Sequence, residues 1–117
     1  MRVERELMRG AGPIAVLQLL DRREMYGYEL VEALSKRSDG VLAMGQSTLY
    51  PLLYSLEAKG LVASEEREAE SGRVRRYYKV TEKGRKRLRA QRQQWRALGR
   101  AMLGLGILEA LPEPGKR

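Results

Sequence analysis

Residues 47–80 read STLYPLLYSLEAKG, then LVASEEREAESG, then RVRRYYKV, and the change of period along them decides the fold. In the first block Leu49, Leu52, Leu53 and Leu56 recur at helical spacing, which lays a buried stripe along a helix from about Ser47 to Lys59. Ser47 or Thr48 is the expected cap, Pro51 is tolerable only within about the first turn, and Gly60 stops the helix. Thr48, Tyr50, Tyr54 and Ser55 are left facing outward. The following blocks predict strands over 61–66 and 74–80, joined by an acidic loop that ends at Gly72 and Arg73. In the later strand Val74, Tyr78 and Val80 fall on one side, and Arg73, Arg75, Tyr77 and Lys79 on the other. The hairpin therefore carries a positive outer face.

Upstream, Gly10 and Gly12 separate a short charged segment from a buried helix over 14–20, with Pro13 in its first turn. A second helix over 26–36 puts Leu30, Val31 and Leu34 on one face, and Gly27 lies a turn earlier, where a neighbour can approach closely. Ser38, Asp39 and Gly40 then punctuate the chain ahead of an apolar run over 41–44. Downstream, Thr81 caps a long helix that ends between Leu103 and Leu111, ahead of Pro112 and Pro114. Along it Leu88, Gln91, Trp95, Leu98, Met102 and Leu105 are spaced 3, 4, 3, 4 and 3, a seam suited to packing on a symmetry mate. Residues 112–117 are expected to be a disordered tail.

The 117 residues allow one domain, and 43% hydrophobic residues are enough for a core. With no Cys and no His, thiolate and imidazole chemistry and Cys/His metal sites are excluded. Paired carboxylates and phosphate-binding glycine loops are missing too, so no enzyme, no metal and no cofactor are expected. No apolar run approaches the ~18 residues of a membrane span, which makes the cytoplasm the expected address. The net charge is +8, and ten of the basic residues fall between Arg73 and Arg92 against one acid, Glu82. Such a block is the footprint of a polyanion partner.

Helix, helix, helix, hairpin, helix is the order of a winged helix-turn-helix. The fold class is mainly α with a small β-hairpin: a DNA-binding domain over 1–80 and a long dimerisation helix over 81–111. The third helix would enter the major groove while the wing grips phosphates or the adjacent minor groove. Gln46, Ser47, Thr48, Tyr50, Pro51, Tyr54 and Ser55 are the candidate contacts on that helix, with Arg73, Arg75 and Arg76 on the wing. The N-terminus of the second helix, at Tyr26 to Glu29, is a further place for phosphates, although Gly27 suits scaffold packing. Arg85, Arg89, Arg92 and Arg96 form a stripe on the last helix, available to DNA or to ion pairs with Glu4 or Glu6.

Five blocks carry a family resemblance: Leu7-Met8-Arg9-Gly10; Tyr26-Gly27-Tyr28-Glu29-Leu30; residues 47–53; residues 56–62; and Gly72 through Gly84. Over roughly 7–100 the chain resembles the PadR family of bacterial transcription regulators, specifically its short branch with a single C-terminal helix. The resemblance implies a homodimeric repressor of operator DNA, released by a small molecule. In the multidrug-binding members of that branch a Trp lies fourteen residues after the Thr that opens the last helix, and two copies flank a flat aromatic ligand; Thr81 and Trp95 have that separation. The residues proposed to line the site are Trp95, Leu7, Leu98 and Arg100, with Arg96 as a second cation. Those members carry an acidic residue after the Trp, where this chain has Gly99 and Arg100, so a neutral or anionic aromatic suits it better than a cation. The alternative function is a nonspecific architectural or RNA-associated protein without ligand control.

Overall fold

The computed structural model describes residues 1–110. Helix α1 spans Arg5–Arg22, strand β1 Met25–Tyr26, helix α2 Gly27–Arg37, helix α3 Gln46–Ala58, strand β2 Val62–Glu68, strand β3 Val74–Val80 and helix α4 Glu82–Gly104. The tail expected over 112–117 lies outside the described residues.

One core joins all the helices to the sheet. Leu30, Leu49 and Leu53 have no exposed surface, and Val16, Leu17, Leu34, Leu56, Leu61 and Tyr78 are at most 3% exposed. Each such side chain stabilises the fold by roughly 1.5–3 kcal/mol relative to an exposed one. Of the predicted α3 stripe, Leu49, Leu53 and Leu56 are buried and Leu52 is half-buried.

α1 corrects the expectation of a separate charged segment, because it runs without a break through Gly10, Gly12 and Pro13. Tertiary packing overrides the local breakers. Met8 is buried on this N-terminal extension, and Gly12 sits where even a Cβ would lie 3.5 Å from both Leu52 Cδ2 and Met44 Cε. Burial of Met8, Gly12 and Val16 along α1 offsets the bond that Pro13 removes from the helix ladder.

α3 also differs at its start. Its cap is Gly45, not Ser47 or Thr48, and no side chain caps it. Pro51 therefore stands in the second turn, on the exposed side it shares with Ser47. Gly60 closes the helix as expected, with φ +76°.

The sheet has three antiparallel strands in the order β1-β3-β2. β1 is only two residues long, too short for any period to register, and it pairs Met25 with Tyr78 and Tyr26 with Tyr77. β2 and β3 pair from Val62–Val80 out to Glu68–Val74. Val74 is a correction: its parity matches that of Tyr78, but at 59% exposure it lies past the edge of the core, where the hairpin projects into solvent.

Thr81 caps α4, its Oγ1 accepting from the Gly84 amide at 3.0 Å and donating to the Gly60 carbonyl at 2.6 Å. Gly84 is obligatory here, since a Cβ would collide with the Leu61 carbonyl oxygen. Leu88, at 1% exposure, completes the core. It was expected to begin the dimer seam, but its surface is already consumed within its own chain. Farther along, Arg92 donates to Gln18 Oε1 at 2.9 and 2.6 Å and approaches Asp21 at 3.5 Å. Arg85 pairs with Glu82 at 3.4 Å. These partners replace Glu4 and Glu6, which pair with no arginine among the described residues. No helix among the described residues is long and apolar enough to cross a membrane.

Candidate nucleic-acid interface

The starts of α2 and α3 and the outer part of the wing converge on one cleft of about 480 Å³, walled by Tyr26, Gly27, Tyr28, Gln46, Tyr50 and residues 73–76. Two helix N-termini, three phenols and three guanidinium groups thus face one volume, a combination that suits phosphate oxygens.

On α3, Gln46, Ser47, Thr48, Pro51, Tyr54 and Ser55 are all exposed, Tyr54 at 60%. Tyr50 departs from the outward reading. It is half-buried against the core, with its hydroxyl end so near Gly27 that a Cβ there would clash with Oη. Gly27 is therefore scaffold: its bare backbone lets α2 and the Tyr50 ring meet. The Tyr50 and Tyr54 rings stack with centroids 6.4 Å apart. At the start of α2, the Glu29 carboxylate accepts from the Tyr26 amide at 3.2 Å.

Ion pairs gather at the base of the wing, while Arg73 and Arg75 toward its tip have none among the described residues, although Glu68 and Glu70 lie close in sequence. At the base Arg67 forms a two-pronged pair with Glu24 at 2.7 and 2.9 Å, is also bonded by Glu65, and lies 4.8 Å from the Tyr77 ring centre. This guanidinium holds the exposed Glu24 carboxyl below the usual carboxylate range. Tyr77 in turn meets Tyr26 edge to face, with centroids 5.4 Å apart. Arg76 shares a face with Tyr78 and is partly neutralised, approaching Glu66 at 3.3 Å and donating to Ser64 Oγ at 3.0 Å. Ser64 passes the chain on to Glu57 at 2.8 Å. Arg75 lies 4.4 Å over the Tyr26 ring, and neither it nor Arg73 has a carboxylate partner among the described residues. On the face of Arg75, Tyr77 and Lys79, β2 adds Arg67 and a single acid, Glu65, while Glu66 and Glu68 stand on the Tyr78 face, opposite Arg76 and Val74.

The Tyr26–Tyr77–Arg67–Glu24 brace was not foreseen, although Arg67 standing alone in an acidic run was its one visible signal. Gly84 was likewise overlooked, since the carbonyl that excludes a side chain there belongs to Leu61.

Around Trp95, 42% exposed, a shallow apolar pocket is walled by Ala11, Ile14, Ala15, Gln18 and Leu42. Leu7, Leu98 and Arg100 do not line it within the single chain; Leu7 and Leu98 are exposed at 61% and 43%. Gln91 is half-buried with an unpaired Oε1, Met102 is half-buried and Leu105 is 73% exposed.

Residues 16–90 match the family described as "Transcriptional regulator PadR-like family". The chain is similar to the transcriptional regulator Rv3488 of Mycobacterium tuberculosis, 38% identical over 100 residues that make up 86% of this chain and 90% of that protein. Among solved structures it is similar to a PadR family transcriptional regulator from Eggerthella lenta, with 39% identity, a TM-score of 0.75 and coverage of 86% of this chain and 85% of that one. A PadR-like transcriptional regulator from Bacillus cereus superposes with a TM-score of 0.77 at 26% identity, over 89% of this chain and 99% of that one.

Proposed function

The chain belongs to the PadR-like family of transcriptional regulators, and from that premise we propose that it is a homodimeric, cytoplasmic repressor that binds duplex operator DNA and is released by a small aromatic ligand. The observation that carries the DNA-binding reading is the cleft shared by the starts of α2 and α3 and the wing arginines. In the dimer two α3 helices enter successive major grooves about 34 Å apart, with residues 1–80 as the reading head and 81–111 as the clamp. Base-edge readout is thin, as Gln46 is the one amide side chain at the start of α3, so phosphate contacts, groove shape and thymine methyls contribute much of the specificity.

Apolar surface supports the homodimer: Leu7, Trp95, Leu98 and Leu105 are all at least 42% exposed on a chain with a 52 Å long axis. Patches of this kind mark contact with a partner surface. The ligand reading rests on Trp95 beside an apolar pocket, where indole faces stack on planar molecules. A ligand wedged between the two α4 helices favours a spacing that no longer fits the operator, and linkage requires DNA to weaken ligand binding by the same factor.

The test is fluorescence anisotropy on the duplex upstream of the protein's own gene and on a scrambled duplex. A preference of ~10³ or more supports a specific operator. Equal affinity for both duplexes, falling steeply with salt, favours the architectural alternative. Quenching of Trp95, the sole tryptophan, reports the ligand; equal ligand affinity with and without DNA overturns release by ligand.

A further inference from the structure

The wing borders one side of α3, and a second basic wall stands on the other. Arg2, Val3, Arg5 and Met8 share a cavity of about 470 Å³ with Thr48, in the first turn of α3. Gln46 lines the wing cleft and Thr48 this one; at 3.6 residues per turn, positions two apart point about 200° from each other. The two cavities therefore flank the same helix on nearly opposite sides.

The arm that brings the arginines there is fastened down. The Val3 amide donates to the Val41 carbonyl at 3.1 Å, Val3 packs against the core, and Met8 is buried one turn into α1. Arg2 and Arg5 are exposed and have no carboxylate within pairing distance among the described residues, despite Glu4 and Glu6 nearby in sequence. Cations kept only for solubility need no such anchoring beside a helix start.

From this geometry we propose that the N-terminal arm is a third element of the DNA interface, in which Arg2 and Arg5 grip phosphate oxygens on the strand opposite the one held by the wing. The inference rests on the reading of α3 as the helix that enters the groove. A helix with its side chains is about 10–12 Å across and fills a major groove about 12 Å wide, so the two phosphate backbones lie along its two flanks. The wing serves one and the arm the other, and the Thr48 hydroxyl sits between arm and base edges.

The experiment measures salt-dependent binding of Arg2→Gln/Arg5→Gln to the upstream duplex and to its scrambled counterpart. The charge-matched control is Lys36→Gln/Arg37→Gln, which removes two cations from the last turn of α2, about 15 Å from its DNA-facing start at 1.5 Å per residue. Circular dichroism checks that each variant is folded. The arm variant is expected to bind both duplexes at least about tenfold more weakly at low salt, with the slope of log affinity against log salt reduced by about 3.6, since a dimer loses four phosphate-gripping cations, while the control matches the wild type. Wild-type affinity and slope in the arm variant overturn the proposal and leave the α3 and wing reading standing. Equal losses in the arm variant and the control also overturn it, since bulk charge alone would then be at work. Absence of duplex binding by the wild type itself removes the underlying reading and this inference with it.

Discussion

The two halves of α4 have opposite fates within one continuous helix. In the first half Thr81, Gly84, Leu88 and Arg92 each meet the body of the domain through a hydrogen bond, a close backbone approach, full burial or contact with α1. In the second half Trp95, Leu98, Leu103 and Leu105 remain exposed. The first half is thus a structural member of the winged domain, and the second carries apolar surface that its own chain leaves uncovered. Stability and assembly should therefore separate along a single element.

The sharpest way to break this division is Gly84→Ala. Its methyl would collide with the Leu61 carbonyl, and backbone cannot give way as a side-chain end can, so urea denaturation should show a loss of more than about 3 kcal/mol. Leu88→Ala should cost about 3 kcal/mol by the same measurement, through lost burial and the cavity left behind. In the second half the effect moves from folding to assembly. Leu98→Glu/Leu105→Glu should leave the urea midpoint of the dilute protein near that of the wild type, yet weaken dimerisation in sedimentation equilibrium by about 100-fold, or ~2.8 kcal/mol at 1.4 kcal/mol per decade. A large fall in that midpoint would show that the two halves are not separable. Thr81→Ala should cost about 1 kcal/mol, the usual value of a lost cap.

The smallest effect comes from pH. Burial of Tyr78 raises its phenol above the ordinary value of 10.0, because the charged form is disfavoured away from water. The folded state then holds this proton to higher pH than the unfolded state does, so the stabilisation is present below pH 10 and is lost as pH rises through the folded value. Urea midpoints between pH 9 and 11 should fall less steeply in Tyr78→Phe than in the wild type.

The sequence made most of this fold legible, because helix spacing, strand alternation and Gly60 are local signals. It placed α3, β3 and the opening of α4 within a residue or two. It broke α1 at Gly10, Gly12 and Pro13, since no local rule reveals that tertiary packing buries Met8 and Gly12 along a single helix. It read the outer face of the hairpin as positive without seeing Glu65 beside Tyr77 there, because alternation along β3 is blind to what β2 sets opposite it. The cleft residues Gln46, Arg73, Arg75 and Arg76 were all named from the sequence, but Tyr50 was turned outward, because its burial depends on the bare backbone of Gly27 in another helix.

The order of elements, the caps at Thr81 and Gly60, the absence of Cys and His and the crowding of basic residues after Arg73 were determined by the sequence alone. Each is a property of neighbouring residues or of composition. Tertiary structure alone decided that Leu88 belongs to the core while Leu98, on the same 3-4 spacing, stays exposed. It also decided that Glu24 reaches Arg67 across 43 positions, and that the arm at Arg2 and Arg5 lies beside Thr48. Periodicity tells which face of a helix is apolar, but what covers that face depends on residues far away in the chain.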